Sequence, residues 1–114
     1  MNNKQKGVIG ESIACRYLKT TNTQIIERNY RNRMGEIDII AKDDKDLIFI
    51  EVKSRQSTRY GYPAEAVNGK KIKNITNIAK YYMNAKNIYD TAIRFDVIEI
   101  YFKEQKINHI KNAF

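Results

Sequence analysis

The charged residues that could do chemistry sit on two stretches that are otherwise apolar. Asp38 interrupts EIDIIA (Glu36–Ala41), and Glu51 and Lys53 interrupt LIFIEVK (Leu47–Lys53). Side chains alternate along an extended chain, so Glu36 and Asp38 share a face, and Glu51 and Lys53 share a face. Pairing the two stretches as a hairpin could bring Asp38, Glu51 and Lys53 together among Ile, Leu, Phe and Val. A buried charge is costly unless it is paired or binds a metal, so charges in such strands need a reason. Two or three carboxylates beside one lysine repel unless something cationic sits among them. Hard oxygen donors favour Mg²⁺ or Mn²⁺ over zinc. A lysine nearby can orient or help deprotonate a water. The set suits in-line attack on a phosphodiester, and a metal-dependent nuclease is the first choice it offers.

Other chemistries are poorly supplied. His109 is the only histidine and lies far along the chain from the acids, so it reads as structural and no Ser–His–Asp arrangement is available. There is no Walker loop and no Gly-rich dinucleotide motif. Cys15, the single cysteine, allows neither a disulfide framework nor a Cys-based zinc site, and reads as core filler. The 114 residues carry 21 Lys and Arg against 13 Asp and Glu, a formal charge of +8. That favours a polyanionic partner, most simply nucleic acid. An AT-rich coding bias toward Asn, Ile and Lys would give the same excess, so charge alone leaves the question open. No apolar run approaches the roughly 18 residues needed to cross a bilayer, and Met1–Lys6 lacks the apolar region of a signal peptide. The expectation is a cytoplasmic protein without a membrane partner, folded as one domain over residues 1–114.

The elements that must position these residues follow from periodicity. Lys4–Thr20 reads as a helix with a stripe of Ile9, Ile13 and Tyr17, extended by Ala14 and Leu18. Glu11 lies at its margin; by spacing alone it reads better as a first-turn acid favoured by the helix dipole than as a site residue. Gln24–Arg31 reads as a strand with a basic tail through Arg33, in which Arg31 and Arg33 could clamp phosphates. Gly35 allows the reversal into Glu36. The charged turn Lys42–Asp46 suits solvent. Ser54–Pro63 reads as an exposed loop that could overhang the acids, with Arg55, Arg59 and Tyr60 available to substrate. A short helix Ala64–Val67 opens on Pro63. Asn68 caps the next helix, with Val67 and Ile72 as a staple. Its buried stripe is Ile72, Ile75, Ala79, Tyr82 and Met83, and its outer face carries Lys70 and Lys71. Thr91–Phe102 and Ile107–Ile110 are the closing strands. The order αβββ-α-ββ predicts an α/β fold, a mixed β-sheet flanked by helices.

Asp38 followed by Glu51-Val52-Lys53 on the next strand resembles the D-(x)n-E-x-K signature of the restriction-endonuclease-like superfamily. Over nearly all 114 residues the chain is similar to the small bacterial YraN-type family of predicted endonucleases. The matching segments are Gly10-Glu11, Asn29-Tyr30-Arg31, Gly35–Asp38, Phe49–Lys53, Arg94–Val97 and Asn112–Phe114. Ile37 stands where the superfamily often has proline. That family resembles archaeal Holliday-junction resolvases. The resemblance implies a restriction-endonuclease-like fold and a Mg²⁺- or Mn²⁺-dependent endonuclease acting on DNA, branched or junction DNA included. It implies Glu11, Asp38 and Glu51 as ligands of the metal or its water, Lys53 activating the nucleophile, and the Val52 carbonyl completing the shell. It also implies a two-fold homodimer, with which the eight tyrosines agree, since aromatic residues are enriched at interfaces. The competing class is a non-catalytic nucleic-acid-binding or accessory protein on the same scaffold. There Arg31, Arg33, Arg55, Lys70 and Lys71 would matter more than the acids.

Overall fold

Five strands form one sheet in the order β1-β2-β3-β4-β5 in the computed structural model, which describes residues 2–57 and 69–114. The elements are α1 (Asn3–Lys19), β1 (Gln24–Asn32), β2 (Gly35–Lys42), β3 (Asp46–Arg55), α2 (Gly69–Ala85), β4 (Ala92–Tyr101) and β5 (Lys106–Ile110). The sequence order αβββ-α-ββ is therefore the observed one. β1, β2 and β3 form an antiparallel meander, β3 and β4 are parallel, and β5 closes antiparallel to β4. Only the parallel pair needs a crossover, and α2 lies within it. The short helix expected over Ala64–Val67, with Pro63, Asn68 and Val67, falls outside the described residues.

Each helix covers one face of the sheet. Ala14, Cys15 and Leu18 of α1 pack on Ile39, Ala41, Ile48, Ile50, Ile98 and Ile100. Ile75, Ile78, Ala79 and Tyr82 of α2 pack on Ile37, Ile40, Leu47 and Phe49. The alternation on β3 and β4 is the expected one, with Arg94, Asp96, Ile98 and Ile100 on the α1 side. Ile78 belongs to the α2 stripe, while Ile72 and Met83 are only half-buried. Tyr82 and Tyr101 are core residues, whereas Tyr81 and Tyr89 stand in solvent.

α1 is rotated from the face the apolar spacing suggests. Its buried line is Gly10, Ala14 and Leu18 with Cys15, and Ile9 is 42% exposed. The cause is Gly10, which lets the helix backbone rest on β3: a Cβ there would lie 1.8 Å from Ser54 Oγ. The helix starts on a capping box. Asn2 Oδ1 accepts from the Gln5 amide at 2.8 Å and Gln5 Oε1 accepts from the Asn2 amide at 2.9 Å. Gly35, at φ 138°, makes the β1–β2 reversal in a region L side chains rarely adopt.

Candidate metal centre and active site

β2 parts from β3 at Asp38. The ladder between them ends at Ile39 and Ile50, and the Val52 amide donates to Asp38 Oδ2 at 2.8 Å instead of continuing it. The face alternation breaks at the same place, since Ile37 packs with α2 while Ile39 packs with α1. The parted strands leave room for side chains, and a cavity of about 360 Å³ opens there. Glu11, Asp38, Glu51, Val52, Ser54 and Arg55 line it. Gly10 sets Glu11 on its rim by letting α1 approach. The structure thus brings the helix acid and both strand acids to one place.

Carboxylate oxygens of Glu11, Glu36 and Asp38 all lie within 4.8 Å of one another. Glu36 was not singled out as a ligand from sequence, although its two-residue offset from Asp38 puts the two on one face. Asn29, at φ 53°, lies between the acids. With its amide oriented to satisfy both, its NH₂ donates to Glu11 Oε1 at 2.7 Å and Glu36 Oε1 at 3.0 Å. Glu51 is buried, 8% exposed, and Lys53 Nζ lies 3.6 Å from its Oε1. Nearer still is Lys71 Nζ, at 2.6 Å. Lys71 was expected on the solvated outer face of α2, but its long stem turns the ammonium inward onto Glu51.

The electrostatics of this centre oppose charge. Burial first, then the charge on Glu51, pushes Asp38 up to about 7, against the pull of the Val52 amide. Burial and then Glu36 raise Glu11. Burial and the neighbouring Lys71 lower Lys53. Lys71 goes the other way: burial would lower it, but its hydrogen bonds to Glu51 and Lys53 and the charges of Glu51 and Asp38 together raise it. Ser54 Oγ and Arg55 Nε, on the same cavity, are buried without a hydrogen-bond partner among the described residues. Acids destabilised in their ionised form offer a set of oxygen donors that fits a hard divalent cation, and Ser54 Oγ adds a further oxygen, whereas the Arg55 Nε–H calls for an acceptor.

The basic residues divide. Arg31 donates to Glu36 Oε2 through Nε at 3.0 Å, at the rim of the acids, with its side chain 75% exposed. Arg33 and Lys70 are exposed, and Arg55 is half-buried beside the site. Arg59 and Tyr60 lie outside the described residues.

The model of the uncharacterised protein family UPF0102 matches residues 10–100. The chain belongs to the UPF0102 family. A UPF0102 protein of Clostridioides difficile (strain 630) is 54% identical over 114 residues, covering 100% of both chains. Relatives in Clostridium botulinum (strain Alaska E43 / Type E3) and Persephonella marina are 47% and 45% identical. They cover 98% and 96% of this chain and 95% and 92% of their own. Among solved structures, Pyrococcus furiosus SfsA in complex with Ca²⁺ aligns with 96% of this chain and 64% of that one, at 16% identity and a TM-score of 0.34. A superposition that loose carries no argument here. None of the described helices is long and apolar enough to cross a membrane.

A second charged cluster lies toward the other end of β3. Arg94 Nε donates to Asp96 Oδ1 at 2.9 Å, and its Nη1 reaches Asp46 at 3.0 Å and Asp43 at 3.1 Å. Asp96, fully buried, also accepts from the Asn112 amide at 3.1 Å and stands 2.8 Å from His109 Nε2. In a neutral imidazole that Nε2–H donates to Asp96, while Nδ1 accepts from the Tyr17 hydroxyl at 2.8 Å. His109 is thus held between Asp96 and Tyr17 and is no part of the cavity that Asp38 and Glu51 line. In the Lys42–Asp46 turn Lys42, Asp44 and Lys45 are exposed as expected, but Arg94 draws Asp43 and Asp46 down onto the sheet.

Proposed function

We propose that this UPF0102 protein is a Mg²⁺- or Mn²⁺-dependent endonuclease that hydrolyses phosphodiester bonds in DNA, branched or junction DNA included. The observation that carries the reading is the convergence of Glu11, Asp38 and Glu51 from three elements onto one cavity, with Glu36 within 4.8 Å of Glu11 and Asp38 and with Lys53 beside Glu51. Glu36, Asp38 and Glu11 are the residues to hold the cation, with Glu51 completing the set. The bound cation supplies Lewis-acid polarisation of the scissile phosphate and offsets its charge. The chain's own residues do the rest. Lys53, depressed by burial and by Lys71, is suited to accept a proton from the attacking water. Asp38 is fixed by the Val52 amide, so its position does not depend on the ligand. Arg31 and Arg55 stand at the site, and they with the exposed Arg33 and Lys70 suit the phosphates flanking the scissile bond. A symmetric homodimer would present two such sites to a two-stranded substrate, and light scattering at micromolar protein checks it.

The test is cleavage of four-way, flapped, single-stranded and linear DNA in Mg²⁺ and in Mn²⁺. Cleavage by the wild type should vanish in Glu51→Ala. Cutting that persists unchanged in that variant sinks the site. Salt-dependent binding without cleavage of any substrate would favour the non-catalytic nucleic-acid-binding protein instead.

A further inference from the structure

Two lysines approach Glu51 Oε1, and the nearer is not the one on its own strand. Lys71 Nζ is 2.6 Å away and Lys53 Nζ is 3.6 Å. Lys71 stands in the first turn of α2, which holds no acid and also carries Lys70. That is the positive end of the helix dipole, a poor place for an ammonium. Glu51, at 2.6 Å, helps to offset that, and it is a carboxylate the proposed function gives to the metal centre.

We propose that Lys71 is the resident counter-ion of the centre: a divalent cation displaces it from Glu51, and its ammonium then binds a phosphate oxygen of the nucleic acid. The inference rests on the metal-dependent reading above. Both events follow from the charges present. A cation taken up beside Glu51 repels an ammonium at contact distance, and Lys71 has a flexible four-carbon stem with which to withdraw. Its side chain is 39% exposed, so the route out is open. Once withdrawn it lies at a helix N-terminus with Lys70, an arrangement that favours a phosphate. Metal and nucleic acid each then improve binding of the other, because the coupling is reciprocal. Lys71 acts here as a positioning residue.

The experiment is calorimetric titration of the metal-free protein with Mn²⁺, in the wild type, Lys71→Met, Lys71→Gln and Lys71→Arg. Both neutral variants should bind Mn²⁺ about tenfold more tightly than the wild type, and Lys71→Arg should stay near it. A purely structural lysine would not give tighter metal binding on removal. In parallel, anisotropy of a labelled four-way junction with Ca²⁺ as the cation should show binding tightened severalfold in the wild type and not in Lys71→Met. If neutral variants bind Mn²⁺ no more tightly while Glu51→Gln abolishes it, the role of Lys71 falls and the metal centre stands. If the wild type binds no Mn²⁺, both fall.

Discussion

The two charged clusters of this sheet contrast in what they do to their own charges. Around Asp96 every shift favours the ionised form. Burial alone would raise Asp96, but His109, Arg94 and the Asn112 amide together hold it below the usual carboxylate range. The Asp46 and Lys45 amides lower Asp43, and the hydrogen bond to Asp96 raises Arg94. Around Asp38 the shifts run the other way, Asp38 and Glu11 up and Lys53 down, with Lys71 on Glu51 the exception. Both clusters sit on strands built of Ile and Phe, so apolar surroundings alone do not separate them. The number of hydrogen bonds does. Asp96 has three partners, Arg94, His109 and the Asn112 amide, whereas Asp38 has the Val52 amide and acidic neighbours. One cluster satisfies its charges within the chain; the other holds carboxylates that burial and their own neighbours disfavour. Such strain is where function is to be sought.

Removing a carboxylate from each cluster should therefore have opposite effects. Asp96→Ala leaves Arg94 and His109 facing an apolar void and should destabilise by about 3 kcal/mol, as breaking one side of a buried pair does. Asp38→Asn removes a charge the fold resists, and should stabilise the metal-free protein by ~1–2 kcal/mol at pH 8. Urea denaturation in EDTA checks both. A loss of stability in Asp38→Asn would show that its cluster is already satisfied, and the contrast would be gone.

The pH dependence sharpens the same comparison. Asp38 is raised from 3.8 to about 7, so between those values the native state holds a proton the unfolded chain has released. Its contribution to stability therefore falls as pH rises through that window. The gain in Asp38→Asn over wild type should be absent below about pH 4, grow through the window and level off above about 7. Asp96, held low, has the opposite sign: its contribution is present above the ordinary carboxylate range and is lost on acidification. The Asp96→Ala deficit should shrink as the pH falls.

How much of this was legible in the sequence depends on how local the cause is. The strands were, because alternating Ile and Val around single charges is a property of consecutive residues. Asp38, Glu51 and Lys53 were, because charges in such strands stand out. The phase of α1 was not, since Gly10 carries no hydrophobicity and yet decides which face meets β3. Glu36 shares the face of Asp38 in the sequence, but nothing in the spacing says that Glu11 and Asn29 come to meet it. Lys71 was misplaced because position on a helix fixes where a lysine starts, not where its ammonium ends. The Arg94 network joins residues about 50 positions apart, and its turn looked like solvent-exposed charge.

α1 offers its own pair of controls, with effects smaller than those of the acids. Gly10→Ala should destabilise by about 1 kcal/mol despite the better helix propensity of alanine. The new methyl would stand 1.8 Å from Ser54 Oγ and, once that hydroxyl turns away, still 3.1 Å from Ser54 Cβ. Gly7→Ala meets nothing within 4 Å and should stabilise by up to about 1 kcal/mol. Equal effects at the two glycines would mean that α1 does not rest on β3 at Gly10, and Glu11 would lose its position with it.

The smallest effect is expected at Arg31, which bears on both acids and solvent. Its guanidinium pairs with Glu36, but the side chain is 75% exposed, where such a pair is screened and contributes little. Arg31→Ala should leave the thermal midpoint within about a degree of the wild type, in keeping with the weakness of exposed pairs. Its loss should show instead in nucleic-acid binding. One phosphate contact fewer lowers the slope of log affinity against log salt by about 1, with no change in preference among DNA sequences. Anisotropy titrations at several salt concentrations, in EDTA so that no cation competes for Glu36, measure that slope. An unchanged slope would place Arg31 off the nucleic-acid path and leave its guanidinium as a screen for Glu36 alone. Arg55, which lines the cavity itself, would then be the nearer candidate for that phosphate contact.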